Sequence, residues 1–179
     1  MSKDDERCAV ARRFAALDAA YRAGDRAAVK ATLGWPEAFP NTPQPMELAC
    51  GDWPLVTAIT LSPLRFVREL LDLGADPNFE VHDGFPSLFV AIDAERDDGE
   101  AVFRLLLRHG ADPNQRGIND GTALHFAVWR RKPWAVAALL EAGADPAART
   151  RIDDYSTPRE DAEAAGFAEA VKLIRGHGA

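Results

Sequence analysis

One string, written three times, restricts this chain more than any other feature. Residues 70–78 read LLDLGADPN, residues 106–114 read LLRHGADPN and residues 139–147 read LLEAGADPA, with a degenerate echo, LIRGHGA, at 173–179. The glycines at 74, 110, 143 and 178 are separated by 36, 33 and 35 residues. A second string precedes each: WPLVTAI (53–59), PSLFVAI (86–92), TALHFAV (122–128) and TPREDAE (157–163). The offset from Leu55 to Gly74, from Leu124 to Gly143 and from Arg159 to Gly178 is 19 in each case, whereas Leu88 to Gly110 is 22. A fixed period of this length means stacked supersecondary units, each unable to bury its apolar face alone.

Each unit reads as two short helices. Leu124, Ala127 and Val128 make an apolar stripe at i, i+3 and i+4. After a break at Arg131, Lys132 and Pro133, WAVAALLEA supplies a second helix. Pro133 and Pro63 suit a first turn, where the missing N–H is no loss, and Ser62 is placed to cap the helix after it. Each second helix is expected to stop at Gly in the left-handed conformation, and the Asp-Pro pairs at 76–77, 112–113 and 145–146 then turn the chain away.

Helix–turn–helix units of about 33 residues carrying T-P-L-H-x-A and L-L-x-x-G-A-D resemble ankyrin repeats, and Thr122, Leu124, His125 and Ala127 match that signature well. The resemblance covers roughly residues 8–34 and 50–179. It implies an all-α solenoid of stacked antiparallel helix pairs with projecting hairpin loops, and a hydrogen bond between His125 and Thr122. The expected organisation is a single domain over 1–179: an N-terminal capping repeat at 8–34, a Pro-rich long loop at 35–50, repeats at 51–80, 81–116 and 117–149, and a C-terminal capping repeat at 150–179. Terminal copies need polar outer faces. Arg159, followed by Glu160 and Asp161, supplies one where an inward Leu would stand. Val10, Phe14, Leu17 and Tyr21 form the stripe of the first helix, which ends near Gly24.

Function is sought where the pattern breaks. Segment 34–50 holds four prolines with Trp35 and Phe39, and reads either as a lid over the first repeat or as a partner contact. Trp53, replacing the usual Thr, either packs on that segment or faces a partner. The insertion AERDDGE (94–100) has the wrong spacing for a calcium loop. In WRRKPW (129–134), Trp129 and Arg130 fall where ankyrin-like proteins face their concave surface, and Trp and Arg are enriched at binding hot spots. Arg130, Arg131 and Lys132 together suggest an acidic contact, whereas Trp134 is expected between helices. The hairpin tips offer His82, Phe85, Arg116, Ile118, Asn119 and Tyr155. The candidate partner-binding set is therefore Trp129, Arg130, His82, Phe85, Ile118, Asn119 and Tyr155.

No phosphate loop, nucleotide fingerprint, nucleophile elbow or zinc-protease signature appears, and the four His have no metal-ligand spacing. No catalytic residue, cofactor or metal is expected. A formal charge of −7 weighs against nucleic acid. No run of eighteen apolar residues could cross a bilayer. With no apolar leader and only Cys8 and Cys50, the expected location is the cytoplasm. The expected function is noncatalytic protein–protein interaction through the concave helix surface and the fingers, by a chain monomeric on its own. An inhibitor or immunity-type adaptor is the more specific version. The alternative is an enzyme or small-molecule sensor with a pocket under loop 35–50, walled by Trp35, Phe39, Cys50 and Trp53.

Overall fold

The computed structural model describes residues 3–34, 39–45, 53–79, 84–152 and 155–177, which fall in two compact units, 1–76 and 77–179. The described residues form ten α-helices and one 3-10 turn, with no strand beyond an isolated bridge between Arg116 and Thr122.

In the first unit, α1 (Lys3–Ala23) pairs with α2 (Arg26–Leu33) and α3 (Pro54–Leu61) with α4 (Leu64–Asp72), while α1 also lies against α3. Leu17, Tyr21, Val29, Leu33, Leu55, Ile59, Phe66 and Leu70 are buried between them. Tyr21 meets Phe66 edge-on, ring centroids 6.0 Å apart. The stripe expected along α1 is divided: Leu17 and Tyr21 are core, but Val10 and Phe14 are exposed. The physical reason is length, since 21 residues of α1 face a partner helix of only 8. Ser62 does not cap α4 as expected. It ends α3, its N–H bonding the Ala58 carbonyl, and Pro63 occupies the cap position.

The described part of the Pro-rich segment lies on this unit. Pro40 and Gln44 are buried. The Tyr21 hydroxyl donates to Gln44 Oε1 at 3.2 Å, and the Gln44 amide donates to Thr57 Oγ1 at 2.6 Å. Burial pushes the Tyr21 phenol well above its ordinary range, so it stays a donor.

In the second unit, α5 (Ser87–Asp93) pairs with α6 (Gly99–Arg108), α7 (Ala123–Trp129) with α8 (Pro133–Glu141), and α9 (Pro158–Ala164) with α10 (Ala168–His177). First helices stack on first helices, α5–α7–α9, and second on second, α6–α8–α10. The signature Leu residues Leu88 and Leu124 are buried, as are Leu106 and Leu139 of the second helices. Burying a Leu side chain contributes about 1.5–3 kcal/mol, so the repeated strings are the core itself.

The second helices end as their glycines require. At Gly110, φ is +88°, the Gly110 N–H bonds the Leu107 carbonyl at 3.1 Å and the Ala111 N–H bonds that of Leu106 at 3.0 Å. This pair of bonds satisfies carbonyls left over at the helix end and needs a left-handed residue between them. The turn from α7 to α8 has the same two bonds around Arg131, a non-glycine at φ +53°.

An asparagine ties one loop to the next at three places. Asn78 donates to the Gly110 carbonyl at 2.8 Å and accepts from the Asp112 N–H at 2.7 Å. Asn114 repeats this with Gly143 and Asp145, at 3.3 and 2.8 Å. Asn41, inside the Pro-rich segment, does the same in the first unit with Gly74 and Asp76, at 2.6 and 2.9 Å.

Candidate protein-interaction surface

Three of the candidate side chains gather around one that the sequence did not single out, Phe126. Its ring stacks on buried Phe89, centroids 4.6 Å apart and 17° from parallel. Phe85 meets it edge-on at 5.8 Å, Trp129 edge-on at 6.4 Å, and the Arg130 guanidinium lies over it at 5.4 Å. Each contact has the geometry that a ring quadrupole favours. Phe85 is half-buried, while Trp129 and Arg130 are exposed in part.

Neither Trp129 nor Arg130 is a free ligand. The Trp129 indole N–H donates to Asp161 Oδ2 at 2.8 Å, reaching from α7 to α9. Arg130 pairs with Asp93 at the end of α5. The basic cluster expected at 130–132 is largely spent within the fold, because Arg131 donates to the Ala165 carbonyl at 3.0 Å and covers the Phe167 ring at 4.9 Å. Trp134 lies edge-on to Phe103 at 5.4 Å, between α6 and α8, as expected.

Ile118 and Asn119 sit on the hairpin between α6 and α7. The Ile118 N–H donates to the Gly84 carbonyl at 2.7 Å, joining two fingers through their backbones. That approach needs Gly117, where a Cβ would stand 2.5 Å from the Gly84 carbonyl oxygen and 2.7 Å from the Phe89 ring. Asn119 is exposed, at φ +54°. Gly121 serves Trp129 in the same way, since a Cβ there would lie 2.6 Å from the indole.

Asp120 latches this finger to the last one. Arg151 donates to both its carboxylate oxygens at 2.6 and 2.7 Å, and Arg116 bonds it at 2.8 Å. The Arg151 hydrogen bonds, with the charge of Arg116, hold the Asp120 carboxyl down to about 2 against the opposing effect of burial. Asp-Gly at 120–121 thus does more than turn the chain.

Tyr155, at φ +50°, is 61% exposed, and its carbonyl accepts from Arg149. Ile152 on the same finger is 54% exposed, an apolar tip that sequence reasoning passed over. His82 lies outside the described residues, as do Trp35 and Cys50. Trp53 is half-buried just before α3.

His125 is buried. Its Nδ1 accepts from the Thr122 N–H at 3.1 Å and lies 2.9 Å from Thr122 Oγ1, while Nε2 faces the Ser156 carbonyl at 3.1 Å. Burial lowers its pKa, and the neutral form with the proton on Nε2 satisfies both sides. In the insertion before α6, Asp98 is paired with Arg96, which lowers its carboxyl's pKa. Among the described residues no three His, Cys, Asp or Glu side chains are placed to hold a metal, and no helix is long and apolar enough to cross a membrane.

Comparison with known proteins agrees with this construction. The chain is 38% identical over 120 residues to the transient receptor potential channel pyrexia of Drosophila melanogaster, covering 66% of this chain and 12% of that protein. It is 44% identical over 55 residues to a putative ankyrin repeat-containing protein of Treponema pallidum, covering 31% of this chain and 18% of that one. It is 35% identical over 82 residues to the glycerophosphocholine phosphodiesterase gde1 of Schizosaccharomyces pombe, covering 46% of this chain and 7% of the relative. The chain therefore spans less than a fifth of the length of each. The family model for ankyrin repeats, three copies, matches residues 55–150, just over half of the chain. Helix pairs stacked in register, glycine-ended second helices and this match together establish that the chain belongs to the ankyrin-repeat family.

Proposed function

We propose that the chain is a noncatalytic module, monomeric on its own and cytoplasmic, that binds a partner protein through the concave helix surface and fingers of its repeats. The observation that carries this reading is the platform on Phe126. Aromatic and cationic side chains are held there in fixed orientation, with Trp129 and Arg130 reaching solvent. Little side-chain entropy remains to be lost on association at such a surface. Exposed Tyr155 and Asn119, with half-buried Ile118, extend it along the fingers, and His82 completes the set. An exposed reduced thiol at Cys8 suits the cytosol.

The more specific version, an inhibitor or immunity-type adaptor whose acidic fingers meet a basic cleft, is motivated by the formal charge of −7 over the whole chain. A small-molecule pocket under the Pro-rich segment has less support, because Tyr21, Gln44 and Thr57 already satisfy one another there.

The test is affinity capture from the native lysate with wild-type protein, Tyr155→Ala and Trp129→Phe. Loss of the same captured protein in Tyr155→Ala, with an unchanged melting temperature, supports the reading. Equal capture by all three chains counts against it.

A further inference from the structure

Away from Phe126, a cavity of about 380 Å³ opens among the last finger, α9 and α10, lined by Pro146, Ala147, Arg149, Arg159, Ile174 and Arg175, together with Thr157 and Glu160. Two departures from the repeat pattern meet in it. Arg159 holds the register at which Leu88 and Leu124 are buried, yet its side chain is 50% exposed. Ala147 holds the register of Asn78 and Asn114, so the side chain that bridges loops elsewhere is missing here. A polar outer face accounts for an Arg in a terminal repeat. It does not account for three arginines around one concavity in an acidic chain.

The charges around the cavity are unevenly matched. Glu160 is fully engaged, accepting from the Thr157 N–H at 2.8 Å and from both terminal nitrogens of Arg149 at 3.0 Å. Glu163 takes Arg175 at 2.9 Å, while Arg159 approaches it only to 3.8 Å, beyond hydrogen-bond length. Among the described residues, three guanidinium groups thus face two carboxylates, and Arg159 makes no hydrogen bond of its own, its nearest acceptor being Glu163 at 3.8 Å. Pro146, Ala147 and Ile174 offer an apolar wall beside it.

We propose that this cavity binds a carboxylate carried on a short aliphatic chain, the carboxylate on Arg159 and the aliphatic part against Pro146, Ala147 and Ile174. An arginine fork takes a carboxylate in a planar, two-bond geometry, which sets it apart from simple charge attraction. Two sources present this chemistry, the free C-terminus of a peptide ending in an aliphatic residue and a small branched acid. None of the residues lining the cavity belongs to the platform on Phe126.

The experiment is an NMR titration of the labelled full chain with N-acetyl-Ala-Ala-Leu bearing a free carboxylate, with its C-terminal amide, with isovalerate and with inorganic phosphate. Saturable shifts at Ala147, Arg159 and Ile174 are expected with the free-carboxylate peptide, and about tenfold weaker binding with the amide. Isovalerate binding as tightly as the peptide assigns the source to a small acid, and weaker binding assigns it to a peptide terminus. Either supports the proposal. Arg159→Leu, which restores the residue of the other repeats, and Arg159→Gln should each weaken binding about tenfold or more while keeping the melting temperature. Unchanged affinity in both variants, equal binding of amide and acid, or a response to phosphate alone overturns the proposal, and the peptide arms decide it even should a variant fail to fold. The peptide titration and the lysate capture read different ligands on different residues, so failure here and failure of the partner-binding reading are separable.

Discussion

The indole nitrogen of Trp129 lies 2.8 Å from Asp161 Oδ2, so an aromatic on one repeat is fixed by a carboxylate on the next. One residue further on, Arg130 is held by Asp93 of the preceding repeat. The side chains best suited to meet a partner also bind the repeats to one another.

Trp129→Phe keeps a ring on Phe126 and removes the N–H. A hydrogen bond to a charged acceptor contributes about 1.5–3 kcal/mol, and partial exposure reduces that here, so a loss of about 1 kcal/mol in urea unfolding is expected. A fall of 3 kcal/mol or more, roughly the cost of emptying a core site, would place Trp129 in the core instead.

Gly117→Ala tests the approach of two fingers. The new Cβ meets the Gly84 carbonyl oxygen at 2.5 Å and Phe89 at 2.7 Å, and Phe89 is buried under Phe126. Neither neighbour is a flexible tip. Destabilisation by about 1–3 kcal/mol is expected, read as a lower melting temperature with broadened Ile118 and Phe89 resonances. A wild-type melt would show that the fingers are free to separate.

Asp120 predicts an acid limb. Its folded pKa, about 2, lies below the ordinary carboxylate value. Its contribution is therefore complete above about pH 4 and is lost as pH falls towards 2. Carbon-detected NMR should find its carboxylate still charged at pH 3. In Asp120→Asn, stability should change less between pH 4 and 2 than in wild type. Identical acid limbs would dissociate the latch from stability.

His125 acts in the same direction at higher pH. Burial lowers its folded pKa below the unfolded value near 6.5. The unfolded chain then binds more protons, so stability is complete above about pH 6.5 and falls as pH drops below it, until the folded form protonates too. His125→Gln should flatten this slope between pH 7 and 5. An unaltered slope would assign it to other groups.

Fold class was legible because the repeats state it three times: a Leu pair before each Gly and an Asp-Pro after it leave one way to close a helical hairpin. Asn41 was legible in principle, since Pro40-Asn41 echoes Pro77-Asn78 and Pro113-Asn114, but its neighbours had diverged too far for the period to be followed. The surface was read only in part. Trp129 and Arg130 stood out by residue type, whereas Phe126 looked like one more apolar residue in a helix. Asp120 stands in an Asp-Gly pair, which is ordinary turn chemistry. What those two do depends on side chains more than 30 residues away, Phe89 and Arg151, and spacing within one repeat carries no record of that.

The asparagine bridges have a practical consequence for anyone rebuilding this protein. Each repeat presents a plug, Asn78 or Asn114, and the following one a socket, the Gly carbonyl with the Asp amide. A foreign module spliced between them would dock only if it carried a socket at its head and a plug at its tail. The joint, more than the helices, fixes which spare parts this architecture accepts.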